Sequence, residues 1–216
     1  MKIKFLSTIA ATIATVLGIG ACSHCQAAEN GDETGGTETA TTMTGKKILI
    51  TYFSHTGENY AVGVISEGNT AVIAKMIAAE TDGTLFEIKT EKTYSESYDK
   101  CVDEAKKEQE AGARPAIVGD IDVENYDVIF IGYPNWWGDC PMAVYTFIEK
   151  HKWAGKTVVP FCTHEGSGLS GTDKNIQQAC KGSTLLKGFA LRGKTAQKER
   201  DAAKAAVKSW LGKIGF

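Results

Sequence analysis

The chain has no excess of basic charge. Its 216 residues carry 24 Lys and Arg against 26 Asp and Glu, a net charge of −2. The lysines are scattered and form no stripe, which argues against nucleic acid or an anionic membrane surface as the partner. Long apolar runs are missing too. The one uncharged, mostly apolar stretch, residues 5–20, is short for a membrane span and rich in Thr and Ala. No internal repeat is visible. Residues 26–45, "QAAENGDETGGTETATTMTG", have almost no large apolar side chains. Such a segment cannot bury enough surface to offset the cost of ordering, so it reads as a flexible tether. What remains, residues 46–216, has ordinary globular composition and suffices for one well-buried domain.

Lys2 and Lys4 precede the apolar stretch, the layout of a secretory leader. It ends Ile19-Gly20-Ala21-Cys22, which resembles the lipobox of bacterial lipoproteins. Two readings follow: lipidation at Cys22 after removal of residues 1–21, or simple cleavage near Ala28. The first is preferred, with 22–45 as tether and the protein exported and held to the membrane by lipid alone. Losing residues 1–21 removes two lysines and no acid, which leaves 22 basic against 26 acidic side chains and a net charge of −4.

Cys22-Ser-His24-Cys25 lacks a second ligand pair and sits in the tether, so no metal site is expected there. Cys101, Cys140, Cys162 and Cys180 fall in the globular part. Export permits disulfides, yet the spacing reveals no pairing, and buried free thiols are the expectation.

Along the domain, short apolar runs alternate with amphipathic stretches. Strands are expected at 46–54, 85–89, 126–134, 156–163 and 185–193. Helices are expected at 69–80, 97–112, 140–151, 172–180 and 201–214. This β-α alternation predicts an α/β fold: one doubly wound parallel sheet of five strands with helices on both faces. Ligands of such sheets sit outside the carboxyl ends of the strands. Three loops therefore matter.

The first, "SHTGENYAVGVISEGNT" (54–70), offers hydroxyls, glycines and amides ahead of a helix. It fits a phosphate site that needs no basic residue. It equally fits a long surface loop before a capped helix. Gly63-x-x-x-x-Gly68-Asn69-Thr70 nearly matches a P-loop, but Asn69 stands where a nucleoside triphosphate site needs lysine. The second loop, "YPNWWGDCP" (133–141), carries Trp136 and Trp137. Both cannot enter the core from a turn flanked by Pro134 and Gly138. At least one is expected to line a cleft or stack on a planar ligand. The third, "THEGSGLSGT" (163–172), contains G-x-G-x-x-G, the spacing of a dinucleotide fingerprint. That fingerprint belongs after the first strand, followed by an acidic residue about 20 positions on. Here it follows the fourth strand, and no Asp or Glu lies between Asp173 and Glu199. Its glycines fit a loop that bends close to a flat ligand.

"TYFSHTG", "GYPNWWGDCPMAVYTFIE" and "VVPFCTHEGSG" together resemble the flavodoxin-like FMN-binding proteins, over roughly residues 46–193. The resemblance implies sheet order 2-1-3-4-5 and noncovalent FMN. It implies that Ser54, His55, Thr56 and Gly57, with Asn69 and Thr70, hold the phosphate. It implies Pro134, Asn135, Trp136, Trp137 and Gly138 along one side of the isoalloxazine ring. Thr163, His164, Glu165, Gly166, Ser167 and Gly168 would follow the other side. About ten residues between Gly57 and Gly68 depart from the compact family loop, and Tyr60 within them either folds over the site or covers the sheet edge. His164 either contacts flavin or a reduced substrate, or is a polar loop residue.

The resemblance further implies redox chemistry, here an FMN-dependent oxidoreductase with a quinone-like acceptor or an unknown redox partner. Two alternatives remain: an electron carrier without a substrate of its own, and a non-redox binding module that has lost FMN. Carriers of this kind are strongly acidic and this chain only mildly so, which favours the enzyme.

Overall fold

The first strand forms where the apolar run "ILITY" begins. This computed structural model describes Met43 and residues 45–216. The leader, Cys22 and most of the tether lie outside the described residues. In chain order the elements are β1 (Ile48–Tyr52), β2 (Gly57–Asn59), β3 (Gly63–Ile65), α1 (Asn69–Thr81), β4 (Thr84–Glu87), β5 (Lys89–Thr90), α2 (Tyr98–Glu110) and β6 (Ile117–Val118). They continue with β7 (Val128–Pro134), α3 (Met142–Glu149), β8 (Thr157–His164), α4 (Thr172–Ala179), β9 (Thr184–Leu185), β10 (Phe189–Arg192), α5 (Gly193–Lys198) and α6 (Arg200–Lys213).

The main sheet runs β4-β1-β7-β8-β10, all parallel. Numbered among the five crossover strands, that is 2-1-3-4-5, as expected. Parallel strands are covered on both faces, so their residues are apolar on both. Ile50, Phe130, Val159 and Phe161 meet Val72, Ile73 and Ile77 of α1 and Val207 and Trp210 of α6. Leu49, Ile129, Ile131 and Cys162 meet Val144 and Phe147 of α3 and Ile176 of α4.

The sequence predicts one edge strand over 185–193, and the structure divides it into β9 and β10. Val158 faces Leu185 and Phe161 faces Phe189. Three residues, 186–188, thus oppose two, Val159 and Pro160. Pro160 has no N–H to give the ladder, so the edge bulges there. Gly188 lies against Pro160, and Trp210 Nε1 donates to the freed Lys187 carbonyl at 2.9 Å.

Two small antiparallel strand pairs were not legible beforehand. β2 pairs antiparallel with β3 inside the expected long loop, and β5 pairs with β6. A further short helix, α5, precedes α6. Among the described residues no helix is long and apolar enough to cross a membrane.

Candidate functional site

A cleft of about 300 Å³ opens at the carboxyl ends of β1, β7 and β8. That is the lower end of the range for small-molecule sites. The sheet places all three sequence-identified loops there.

The turn after β1 is built around α1. Ser54 Oγ accepts from the Ala71 N–H at 3.0 Å, so it caps the helix from outside the helical run. Gly68, just before α1, sits against Ser54 Oγ and the His55 carbonyl so closely that any Cβ would collide with both. The amides of Asn69 and Thr70 have no partner among the described residues, as expected for a first helical turn without a ligand. Asn69 Oδ1 is buried, also without a hydrogen-bond partner. The neighbouring glycine, Gly193, leaves no room for a Cβ beside the Asn69 amide. Thr70 turns inward instead: its hydroxyl and that of Thr163 are 2.7 Å apart and buried.

His55 is fixed by the Ser95 backbone. Its Nε2 lies 3.0 Å from the Ser95 carbonyl, which can only accept. Nε2 therefore carries the proton and Nδ1 is left as an acceptor. Burial holds its pKa below the ordinary 6.5. The Ser95 carbonyl, Glu104 and Glu96 pull the other way. Thr56 is exposed, and Gly57 has φ +82° with the Glu96 backbone close by.

The tryptophan loop is a tight reversal. Trp136 and Asp139 exchange backbone hydrogen bonds of 2.8 and 3.0 Å. Between them Trp137 and Gly138 both take positive φ, +55° and +78°. Two successive left-handed residues make a type I′ turn. Glycine adopts this freely, whereas tryptophan pays roughly 1–3 kcal/mol. The strain turns the two rings apart. Trp136 is half-buried in edge-to-face contact with Phe53, Tyr94 and His55, at 5.3, 5.1 and 5.9 Å. Trp137 stays 50% exposed. Its Nε1 donates to the Val102 carbonyl of α2 at 3.0 Å, and Lys106 Nζ stands 4.9 Å from its ring. Both rings line the cleft.

Asn135 ties the second loop to the third. Its Nδ2 donates to the Gly168 carbonyl and to Ser170 Oγ, both at 3.1 Å, while its Oδ1 accepts from the Gly138 N–H at 3.0 Å. Its side chain is thereby occupied inside the protein. Glu165 is likewise committed, because Oε1 accepts from the Lys194 N–H at 2.7 Å and so anchors the third loop to α5. His164 Nδ1 accepts from the Gly166 N–H at 2.9 Å, which puts the neutral ring's proton on Nε2. Burial, then Arg192, lowers its pKa.

Of the residues singled out from sequence, the cleft surface itself includes His55, Asn69, Pro134, Asn135, Trp136 and Trp137, with Thr163, His164 and Glu165. Ser54, Thr56, Gly57, Thr70, Gly138, Gly166, Ser167 and Gly168 stand in the same loops but behind or beside it. Of the remaining wall the sequence singled out only Tyr60, as a cover either for the site or for the sheet edge. Glu58, Asn59 and Tyr60 reach the cleft from the β2–β3 hairpin, and Tyr98, Cys101, Val102 and Ala105 reach it from α2. The helical stripe Tyr98, Cys101, Val102, Ala105 was visible as a pattern, but a core face and a cleft wall have the same spacing. Among the described residues no three metal-ligating side chains cluster.

A doubly wound sheet with a loop-lined cleft at its strand ends, and an amide-bearing turn before the first helix, defines the class of flavodoxin-like α/β proteins. The chain belongs to the flavodoxin family, whose model matches residues 47–214. Among solved structures it is similar to a protein assigned as a flavoprotein from Bacteroides eggerthii DSM 20697. Identity is 31%, with 79% of this chain and 99% of that one covered and a TM-score of 0.63. A protein of the same assignment from Bacteroides uniformis ATCC 8492 is 34% identical over 76% of this chain and 99% of its own, TM-score 0.61. A flavoprotein in complex with FMN from Lactobacillus acidophilus NCFM is 27% identical over 71% and 97%, TM-score 0.54. No curated protein matches the chain.

Proposed function

We propose that this chain binds FMN noncovalently in the cleft and works as an oxidoreductase that passes electrons to a quinone-like acceptor. The turn around Gly68 carries the proposal. Ser54 and His55 close onto a position no Cβ can occupy, and the Asn69 and Thr70 amides stand unpaired at the start of α1. That donor set suits a phosphate dianion without any basic side chain. The similar flavoprotein crystallised in complex with FMN supports the same choice of group.

In this reading the turn 54–57 and residues 69–70 hold the phosphate, and loops 134–138 and 163–168 flank the ring. Bound there, FMN supplies one- or two-electron transfer. Asn135 acts by holding loops in place, since both its side-chain polar atoms are engaged; Ser54 caps α1 yet keeps its O–H free to donate, and Glu165 anchors its loop through Oε1. Trp136 and Trp137 exclude water from the ring site. His164, with its proton on Nε2, can donate at the cleft surface.

The proposal extends to the segments ahead of the domain. Residues 1–21 are removed on export, Cys22 carries the lipid, and residues 22–45 tether the domain 46–216 to the membrane. Mass spectrometry of the mature N-terminus tests this, and an unmodified Ala28 terminus refutes it.

The cofactor is tested by incubating residues 45–216 with FMN, desalting, and recording the visible spectrum. Flavin bands at near-stoichiometric amount are expected. A colourless but folded protein refutes the reading. Steady turnover of a small quinone by the loaded protein supports an enzyme; transfer only to a protein partner converts it to a carrier.

A further inference from the structure

The stretch that departs from the compact family loop has a structure of its own. Residues 57–65 form the β2–β3 hairpin, and three contacts fasten it to the start of α2. The Glu58 N–H donates to the Glu96 carbonyl at 2.8 Å, and the Tyr98 N–H donates to the Glu58 carboxylate at 3.0 Å. Gly57 allows the approach, since a Cβ there would lie 2.8 Å from the Glu96 oxygen. The hairpin brings Tyr60 beside Tyr98, ring centroids 5.9 Å apart and planes tilted by 33°. Both line the cleft, yet they remain 64% and 36% exposed.

We propose that this pair forms a second binding position within the cleft, one that takes a flat, uncharged aromatic molecule of quinone type. The assignment rests on the redox reading above for the role of that molecule, though not for its binding.

Three observations point the same way. First, two large rings are held half-open to water by backbone bonds that serve no other evident purpose. Exposed aromatic area is the surface that gains most from covering by a flat ligand. At 5.9 Å the rings touch each other, so a ligand lies across the pair and not between its members. Val102 and Ala105 of α2 continue the apolar wall towards Trp137. Second, the Tyr60 and Tyr98 hydroxyls have no protein partner among the described residues. Tyr94, Tyr133 and Tyr145 each bond to a neighbour. Two free phenols suit the carbonyl oxygens of a quinoid ring. Third, the cleft lining contains Glu58 and Glu165 and no Lys or Arg. Lys106 is not part of that lining, and its Nζ stands 4.9 Å from the Trp137 ring centroid. At the tyrosine pair an anionic group would approach the Glu58 carboxylate, which accepts from the Tyr98 N–H, and that costs binding. The Tyr60–Tyr98 pair thus disfavours a ligand that carries a sulfonate or carboxylate against it.

The test is calorimetric titration of the oxidised full chain, with and without FMN, using 1,4-naphthoquinone and its 2-sulfonate. The neutral quinone is expected to bind about tenfold or more tightly than the sulfonate. Tyr60→Ala and Tyr98→Ala are each expected to weaken it by about tenfold. FMN affinity is read in both variants as well, because Tyr60 and Tyr98 line the same cleft. Tyr60 is mostly exposed, so its variant folds, and Tyr60→Phe separates loss of the hydroxyl from loss of the ring. Equal quinone affinity in wild type and both Ala variants overturns the proposal, as does equal affinity for the sulfonate. No FMN binding with Tyr60-dependent quinone binding refutes the cofactor reading and keeps the subsite. FMN binding with Tyr60-independent quinone binding does the reverse.

Discussion

At the scale of single residues, the two adjacent tryptophans have opposite energetics. Trp136 is half-buried against three aromatic rings, so Trp136→Ala leaves a gap. It is expected to lower stability by about 2–3 kcal/mol, measured by denaturant melting. Trp137 is strained and half-exposed. Trp137→Gly removes its left-handed strain and its contacts together, so stability should change by no more than about 1 kcal/mol. FMN affinity, read by quenching of flavin fluorescence, should nonetheless fall by about tenfold. Gly68→Ala drives a Cβ into Ser54 and His55. It should cost about 1–3 kcal/mol and at least about tenfold in FMN affinity. Unchanged affinity would remove this turn from the phosphate site. His55 supplies a pH dependence. Burial holds its folded pKa below 6.5, so the unfolded chain takes up the proton first as pH falls. The stability from its neutral form is fully present above 6.5 and is lost as pH drops through the folded pKa. The melting temperature of wild type should therefore decline more steeply from pH 7 to pH 5 than that of His55→Gln.

At the scale of elements, the β2–β3 hairpin is the part least supported by the core. Val62 is its one buried apolar side chain, and Val64 is 82% exposed. Its position depends on Glu58 and on backbone bonds to residues 96 and 98. Glu58→Ala should speed amide exchange across 57–65 and at Tyr98, while global stability falls by no more than about 1 kcal/mol. Unaltered exchange would show that Glu58 does not hold the hairpin. The sequence hid this element because a three-residue strand pair has too few positions for a period to emerge. The break between β9 and β10 was hidden for another reason. Its cause, Pro160, lies in the neighbouring strand, and the apolar run of 185–193 is unbroken in sequence.

At the scale of the whole molecule, the four cysteines of the domain report on global folding. Cys101, Cys140, Cys162 and Cys180 are free and buried, the last three in one core cluster and Cys101 on α2. Burial raises every thiol, those of Cys101 and Cys162 to about 12. A buried thiol that stays protonated is a poor nucleophile. Residues 45–216 should therefore show almost no reaction with a disulfide reagent at pH 8. All four thiols should react together in denaturant. One fast thiol in the native protein would mark local opening near that residue.

The sequence by itself determined the layering of this protein, because short apolar runs alternating with amphipathic stretches fit a parallel sheet covered on both faces, while the strand order was legible only through the family resemblance. It also determined which three loops meet, since a parallel sheet gathers the carboxyl ends of its strands on one side. Only the tertiary structure decided which residues of those loops face the cleft. Thr70 pairs with Thr163, Asn135 with Gly168, and Glu165 with Lys194, partners 29 to 93 positions apart. Only the fold, too, made the α2 stripe a cleft wall and joined Tyr60 to Tyr98. Hydropathy records how often a residue returns to a face, while what covers that face depends on contacts between elements distant in the chain.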